Sequence, residues 1–310
     1  MKKTKVIFMG TPAFSTSVLK GLIENYEVVL VVTQPDKEVG RKKELAFSPV
    51  KRLAIENIIP VFQPIKIRED YERVLNTPCD IIITCAYGQI IPKNILDYPP
   101  LGCINVHASL LPSLRGGAPI QRALIEGYEK TGITIMYMDE GMDSGDIISK
   151  EEYIIKETDT FGSLHDVLSN MGGELLLKTM SSIIKGTNKR IKQNAEGVTF
   201  APNIKRADEH LDFNNNCTNI YNRVRGLNPY PYANIIIDKE ELKVVECYYE
   251  IVNHHKTVGT IIEVKKDCLG VSAKDGIIYI TKIKPFGKGE MLVKDYLNGI
   301  KKELLGKSVM

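Results

Sequence analysis

The sequence predicts an α/β protein with a Rossmann-like, mostly parallel sheet domain followed by a small, OB-like β-barrel domain. Three observations lead there. Over the first 186 residues short apolar, β-branched runs alternate with helical stretches, the pattern of a parallel sheet covered on both faces. Beyond about residue 206 the runs shorten and are separated by turn residues at Asp238, Asn253, Asp275-Gly276 and Gly287, as in a small antiparallel barrel or sandwich. Between them Thr187 to Lys205 is polar and reads as a connector. The expected division is therefore a catalytic domain over 1–186, a linker over 187–205 and a C-terminal β-barrel domain over 206–310.

The elements follow in order. Lys5 to Met9 is a buried strand, and Gly10-Thr11-Pro12 turns it into a helix that begins near Pro12 and runs to about Glu24. Val28 to Val32 is a second strand. Ser48-Pro49 starts a helix, and another strand lies near Ile59 to Phe62. Asp80 to Ala86, Gly102 to Val106 and Ile133 to Met138 continue the sheet. Residues 160–185 form a long amphipathic helix, with Leu164, Val167, Leu168, Leu175, Leu176 and Ile183 near helical spacing. In the C-terminal part Asn234 to Asp238, Val258 to Val264 and Gly276 to Ile283 are strands.

Composition narrows the function classes. With 43% hydrophobic and 25% charged residues the chain can bury a sizeable core. The longest apolar runs fall short of the roughly 18 residues of a membrane span, and the N-terminal run is too short for a signal-peptide core, so a cytoplasmic protein is expected. The six cysteines form no Cys-x-x-Cys pair, and the five histidines lack metal-ligand spacing; reduced thiols and no metal are expected. A monomer is expected, because no hydrophobic seam stands out. Residues 201–310 hold 17 Lys and Arg against 14 Asp and Glu, whereas the first 200 balance at 24 against 24. That excess fits a nucleic-acid partner and fits a solvated lysine-rich face equally well.

Chemistry concentrates in Gly102-Cys-Ile-Asn-Val-His-Ala-Ser-Leu-Leu-Pro112. Asn105 and His107 lie two apart on a strand and so share a face, at the C-terminal end where open α/β sheets place ligands. Asp139-Glu-Gly-Met-Asp143-Ser-Gly-Asp146 is an acidic, glycine-punctuated loop directly after a predicted strand. One carboxylate from it, brought near His107, would hold the imidazole charged and oriented. An imidazolium beside a carboxamide suits acyl transfer, where charge develops on a carbonyl oxygen. Cys103 shares the face of Asn105 but has no activating partner, so it reads as a packed thiol.

Asn105-x-His107, Ser109-Leu-Leu-Pro112 and Asp143 together resemble the folate-dependent formyltransferase family, whose members act on glycinamide ribonucleotide, on amino sugars and on methionyl-tRNA. Thr33-Gln-Pro-Asp36 through Gly40-Arg41, with Leu45 and Ser48-Pro-Val-Lys51, is similar to the insertion loop of the members acting on methionyl-tRNA. Arg115-Gly-Gly-Ala-Pro-Ile120 and Arg225-Gly-Leu-Asn-Pro-Tyr-Pro231 follow the same pattern. The resemblance spans essentially the whole chain. It implies Asn105, His107 and Asp143 as the catalytic trio, and 10-formyltetrahydrofolate as formyl donor, lined by Ser109, Leu110, Leu111 and Pro112 and by the backbone of Ala86, Tyr87 and Gly88. It further implies initiator methionyl-tRNA as acceptor, met by Arg41, Lys42 and Lys43. Lys37 to Arg52 holds six basic residues against two acidic ones, an excess that suits phosphate contacts and suits a flexible charged surface loop as well. Arg223, Arg225, Lys265, Lys266, Lys282 and Lys284 are candidates for a second basic surface. A nucleotide-linked amino sugar is the competing acceptor. Ser113-Leu114 before Arg115, Tyr230 in place of a tryptophan, and Phe200-Ala-Pro-Asn203 depart from the family pattern.

Overall fold

The computed structural model describes residues 3–39, 44–299 and 303–309. They divide into two compact units, one within 1–119, 130–154 and 165–202, the other within 120–129, 155–164 and 203–310. The boundary thus falls after Pro202, so most of the polar connector belongs to the first unit.

In chain order the first half comprises β1 (Lys5–Gly10), α1 (Thr16–Asn25), β2 (Glu27–Val32), β3 (Lys37–Val39), β4 (Glu44–Ala46), α2 (Pro49–Glu56), β5 (Val61–Phe62), α3 (Glu72–Leu75), β6 (Ile81–Cys85), α4 (Lys93–Leu96), β7 (Cys103–His107), α5 (Pro119–Ile125), β8 (Lys130–Tyr137), β9 (Ile147–Ile154) and α6 (Phe161–Ile184). Seven strands form one sheet in the order β5-β2-β1-β6-β7-β8-β9, while β3 and β4 pair separately. The pairs from β5 to β7 are parallel, and β6 is buried along its whole length, as its unbroken Ile-Ile-Ile-Thr-Cys run demands. The chain leaves β1 toward β2 and β5, then returns to β6. The loops after β1, β6 and β7 therefore open on one edge of the sheet, beside this reversal of strand order.

Where the chain turns, local chemistry explains why. Ser48 caps α2, its hydroxyl accepting the Lys51 amide at 3.0 Å, and Pro49 occupies the first helical position. Sequence patterning does not reveal β9. It pairs antiparallel with β8 at the sheet edge and alternates half-buried with exposed residues, including Lys150, Glu151 and Glu152. A strand with one wet face and charged side chains carries no continuous apolar signal. With β7–β8 also antiparallel, the sheet is mixed at this end.

The second unit contains α7 (Cys217–Gly226), β10 (Ala233–Ile237), β11 (Glu240–Ile251), β12 (Ile261–Val264), β13 (Leu269–Ala273), β14 (Gly276–Pro285), β15 (Met291–Leu292) and α8 (Val293–Asn298). Its strands are antiparallel in the order β10-β11-β14-β13-β12, with β15 on β14, the expected barrel-like domain. Asp238 and Lys239 both have positive φ, +50° and +68°, the two-residue hairpin turn that matches strand twist. α7 lays Cys217, Ile220 and Val224 into a core with Ile235, Val244, Ile278, Ile280 and Ile283. Twelve-residue β11, missed from sequence, is long but mixes apolar residues with five charged ones.

Ile83→Ala, at the fully buried centre of β6, is expected to destabilise the first unit by about 2–5 kcal/mol, read as a lower midpoint in urea unfolding.

Candidate active site

β7 carries two of the candidate side chains on one face. Asn105 stands beside Thr84 of β6 and opposite Met136 of β8, and His107 is opposite Thr134. The Thr84 hydroxyl donates to Asn105 Oδ1 at 2.9 Å, which fixes the carboxamide's orientation. Its Nδ2 therefore points outward, 3.4 Å from Asp143 Oδ1. His107 is buried, 6% exposed, with Nδ1 3.6 Å from the same Oδ1 and Nε2 3.0 Å from the Leu114 carbonyl oxygen. A carbonyl only accepts, so Nε2 carries a proton. The residues singled out from sequence thus meet at one carboxylate oxygen.

The acidic loop resolves into separate tasks. Asp139 accepts from the Gly141 amide and the Ser144 hydroxyl and so closes the turn. Asp146 pairs with Arg190 at 3.0 Å, and Glu140 lies 3.9 Å from Lys93. Only Asp143 enters the site. Its backbone is left-handed, φ +49°, uncommon for a residue with a side chain, and its Oδ2 accepts the Gly116 amide at 2.8 Å.

Segment 109–118 wraps around His107. Ser109 and Leu111 are fully buried. The Ser109 hydroxyl donates to the Ser113 carbonyl at 2.6 Å, the Ser109 carbonyl accepts from Thr134, and Lys150 donates to the Leu111 carbonyl. Burial lowers the pKa of Lys150. Leu110 and Pro112 keep partly exposed surface. Leu114 has φ +60° and a buried side chain; its contribution to His107 comes from its carbonyl, so this departure from the family pattern touches the site through main chain.

Ala86 and Gly88 are exposed with φ of +46° and +87°. Tyr87 between them is buried in the cluster with Ile7, Met9 and Ile82, and its carbonyl accepts from Thr11 and Gln34. Burial raises its hydroxyl's pKa. Cys103 donates to the Ile95 carbonyl at 3.4 Å, and burial pushes its thiol up, as for a packing residue rather than a nucleophile. Arg41, Lys42 and Lys43 lie outside the described residues. In the second unit Arg223 donates to the Asp208 carbonyl and Arg225 to Asn222 and to the Lys156 and Asp159 carbonyls. Lys265 pairs with Glu263, Lys282 with Glu290, and Lys284 lies over the Tyr232 ring.

Sequence reasoning missed the role of the connector. Ile191 bridges to Ile147, and Phe200 to Arg115. Thr199 Oγ1 accepts the Leu114 amide at 2.8 Å, and Gln193 binds the backbone of Asp143 and Gly145. Its polar composition resembles that of any exposed linker, so composition carried no signal for these contacts.

Residues 2–180 match the formyl transferase family and residues 203–301 its C-terminal domain family. The chain belongs to the formyl transferase family. It is 48% identical to the methionyl-tRNA formyltransferase of Staphylococcus epidermidis over 99% of this chain and 100% of that protein. It is 50% identical to that of Bacillus cereus over 97% of each. Among solved structures it shares the fold of a Helicobacter canadensis N-formyltransferase in complex with folinic acid and dTDP-3-aminofucose (TM-score 0.68, 19% identity, covering 92% of this chain and 100% of that one). It also shares the fold of HypX from Aquifex aeolicus in complex with tetrahydrofolic acid (TM-score 0.62, 15% identity, covering 99% and 51%). Among the described residues no helix is long and apolar enough to cross a membrane.

Gly116 has φ +119°, and a Cβ there would stand 2.9 Å from the Ala201 carbonyl oxygen. Gly116→Ala is expected to cost about 1–3 kcal/mol, measured as a lower thermal unfolding midpoint.

Proposed function

We propose that this chain transfers the formyl group of 10-formyltetrahydrofolate to the amino group of methionine on initiator methionyl-tRNA, as a cytoplasmic monomer. The observation carrying the reading is near-50% identity over almost the entire chain to methionyl-tRNA formyltransferases, joined to one carboxylate oxygen shared by Asn105 and His107. The folate supplies an activated formyl carbon. The likeness to sugar-acting enzymes is a likeness of fold at 19% identity, which leaves the amino-sugar acceptor the weaker reading.

The chain's own groups define the chemistry. Asn105, turned outward by Thr84, has an N–H to offer the formyl oxygen as it gains negative charge. His107 Nε2 is committed to Leu114, so a hydrogen bond from His107 to that oxygen has to come from Nδ1. Both ring nitrogens then carry protons, and Asp143 is the counter-charge of that imidazolium. Asp143 Oδ2 is held by Gly116, leaving Oδ1 to receive the proton that the attacking methionine amine sheds, directly or through water. Collapse of the adduct then breaks the bond from the formyl carbon to N10, and that proton goes to the N10 of the departing tetrahydrofolate. One oxyanion donor contributes about 2.7–4 kcal/mol in the transition state, and holding amine and formyl carbon together supplies much of the remainder. Ala86, Gly88, Leu110 and Pro112 offer surface to the folate, with Tyr87, Ser109 and Leu111 as the buried frame beneath. Arg41, Lys42 and Lys43 would neutralise phosphates of the tRNA.

Formylation of methionyl-tRNA by the purified chain, with an amino-sugar nucleotide as parallel acceptor, tests the reading; transfer to the sugar alone would overturn it. His107→Ala is expected to lower kcat by about 10²–10⁴-fold, and an unchanged kcat would remove His107 from the chemistry. Arg41→Ala is expected to raise KM for tRNA and to flatten the salt dependence of binding by about one unit of logarithmic slope. Salt dependence equal to that of the unaltered enzyme would dissociate the loop from RNA.

A further inference from the structure

Gln193 is half-buried in what reads from sequence as linker, yet both ends of its side chain are occupied. Its Oε1 accepts Arg115 Nε at 3.2 Å and Nη2 at 2.7 Å. Its Nε2 donates to the Asp143 carbonyl at 2.8 Å and to the Gly145 carbonyl at 2.9 Å. One amide nitrogen reaches two carbonyls two residues apart only where the chain between them turns sharply. The left-handed Asp143 supplies that turn. Gly145 sits so close to the Tyr137 carbonyl oxygen that an added Cβ would lie 2.0 Å from it. Segment 143–145 is thus pinned from both sides.

We propose that Gln193 is a positioning residue of the formyl-transfer site, aiming the Asp143 carboxylate at Asn105 and His107; this rests on the function proposed above. The contacts close a ring. Arg115 orients Gln193, Gln193 holds the backbone of Asp143, and the Asp143 carboxylate returns to the amide of Gly116, next in sequence to Arg115. Leu114, on the other side of Arg115, holds Nε2 of His107. The ring therefore ties the acidic loop to the segment that orients the histidine. Without Gln193, the carboxylate is steadied from outside the trio by the Gly116 amide, and a left-handed aspartate loses the hydrogen bond to its carbonyl that supports its conformation. Gln193 does not touch the reacting atoms. Its removal should change the rate of the chemical step and leave substrate binding alone.

The test measures kcat and both KM values for the full chain carrying Gln193→Ala, Gln193→Glu, Asp143→Asn, or Asp143→Asn with Gln193→Ala, using formyl-tetrahydrofolate and methionyl-tRNA. Gln193→Glu keeps the Arg115 pairing while replacing the N–H donors with oxygens that face carbonyls, so it answers the question if Gln193→Ala unfolds early. Each single change at 193 is expected to lower kcat on the order of 10²-fold with both KM values unchanged. In the Asp143→Asn background, Gln193→Ala is expected to cause no further loss, because its effect runs through Asp143. Normal kcat in both Gln193 variants, a rise confined to KM, or losses that multiply in the double variant would overturn the proposal. Full activity in Asp143→Asn, or no formylation by the unaltered chain, would overturn it together with the function beneath it.

Discussion

A single oxygen atom, Oδ1 of Asp143, organises this site. Asn105 and His107 come from consecutive same-face positions of one strand, so their spacing is set by the pleat. Nothing in the strand provides the negative charge they converge on. That charge comes from a loop after an antiparallel neighbour, and reaches the strand because Asp143 adopts a backbone conformation that aspartate tolerates better than most residues. The carboxamide is oriented from behind by Thr84, and the imidazole from the side by Leu114. The donors are thereby arranged before any substrate arrives, as preorganised electrostatic catalysis requires.

How much of this could be read from sequence follows from the kind of interaction involved. Buried parallel strands announce themselves, since burial on both faces forces unbroken apolar runs such as Val6–Met9 and Ile81–Ile83. Strands with one wet face do not. β9 and β11 carry several charged residues each, among them Lys150, Glu151 and Glu152, and Glu240, Glu241, Lys243, Glu246 and Glu250, and so escape a search for apolar runs. Strand periodicity placed Asn105 and His107 on one face and the glycine-rich loop offered a carboxylate, but which carboxylate came only from the family resemblance. The scaffolding around the trio was not legible. Thr199 and Gln193 act on residues 85 and 50 positions away, through groups that any polar linker possesses.

The placement of charge is hidden from sequence for another reason. Counting residues shows a basic C-terminal part, yet several of those cations hold the second unit together. Arg225 is half-buried, and burial lowers its pKa while its guanidinium braces two main-chain carbonyls. Arg223 donates to the Asp208 carbonyl, and the Asp208 carboxyl, paired with Arg122 from earlier in the chain, is held below the ordinary range by backbone and arginine contacts that outweigh burial. A basic residue committed this way contributes to the long-range field more than to a contact.

The connector's contacts bear on how the protein is made. A ribosome releases the chain from its N-terminus, and compact units can form as they emerge. By the time α6 is complete, every strand of the first sheet has appeared, with Asn105, His107 and Asp143 all present. Thr199 and Gln193 still lie ahead. The nascent sheet can therefore assemble around an acidic loop not yet held in its working shape. A fragment ending at the long helix would hold Asn105, His107 and Asp143 without the contacts that Thr199 and Gln193 make to Leu114 and Asp143.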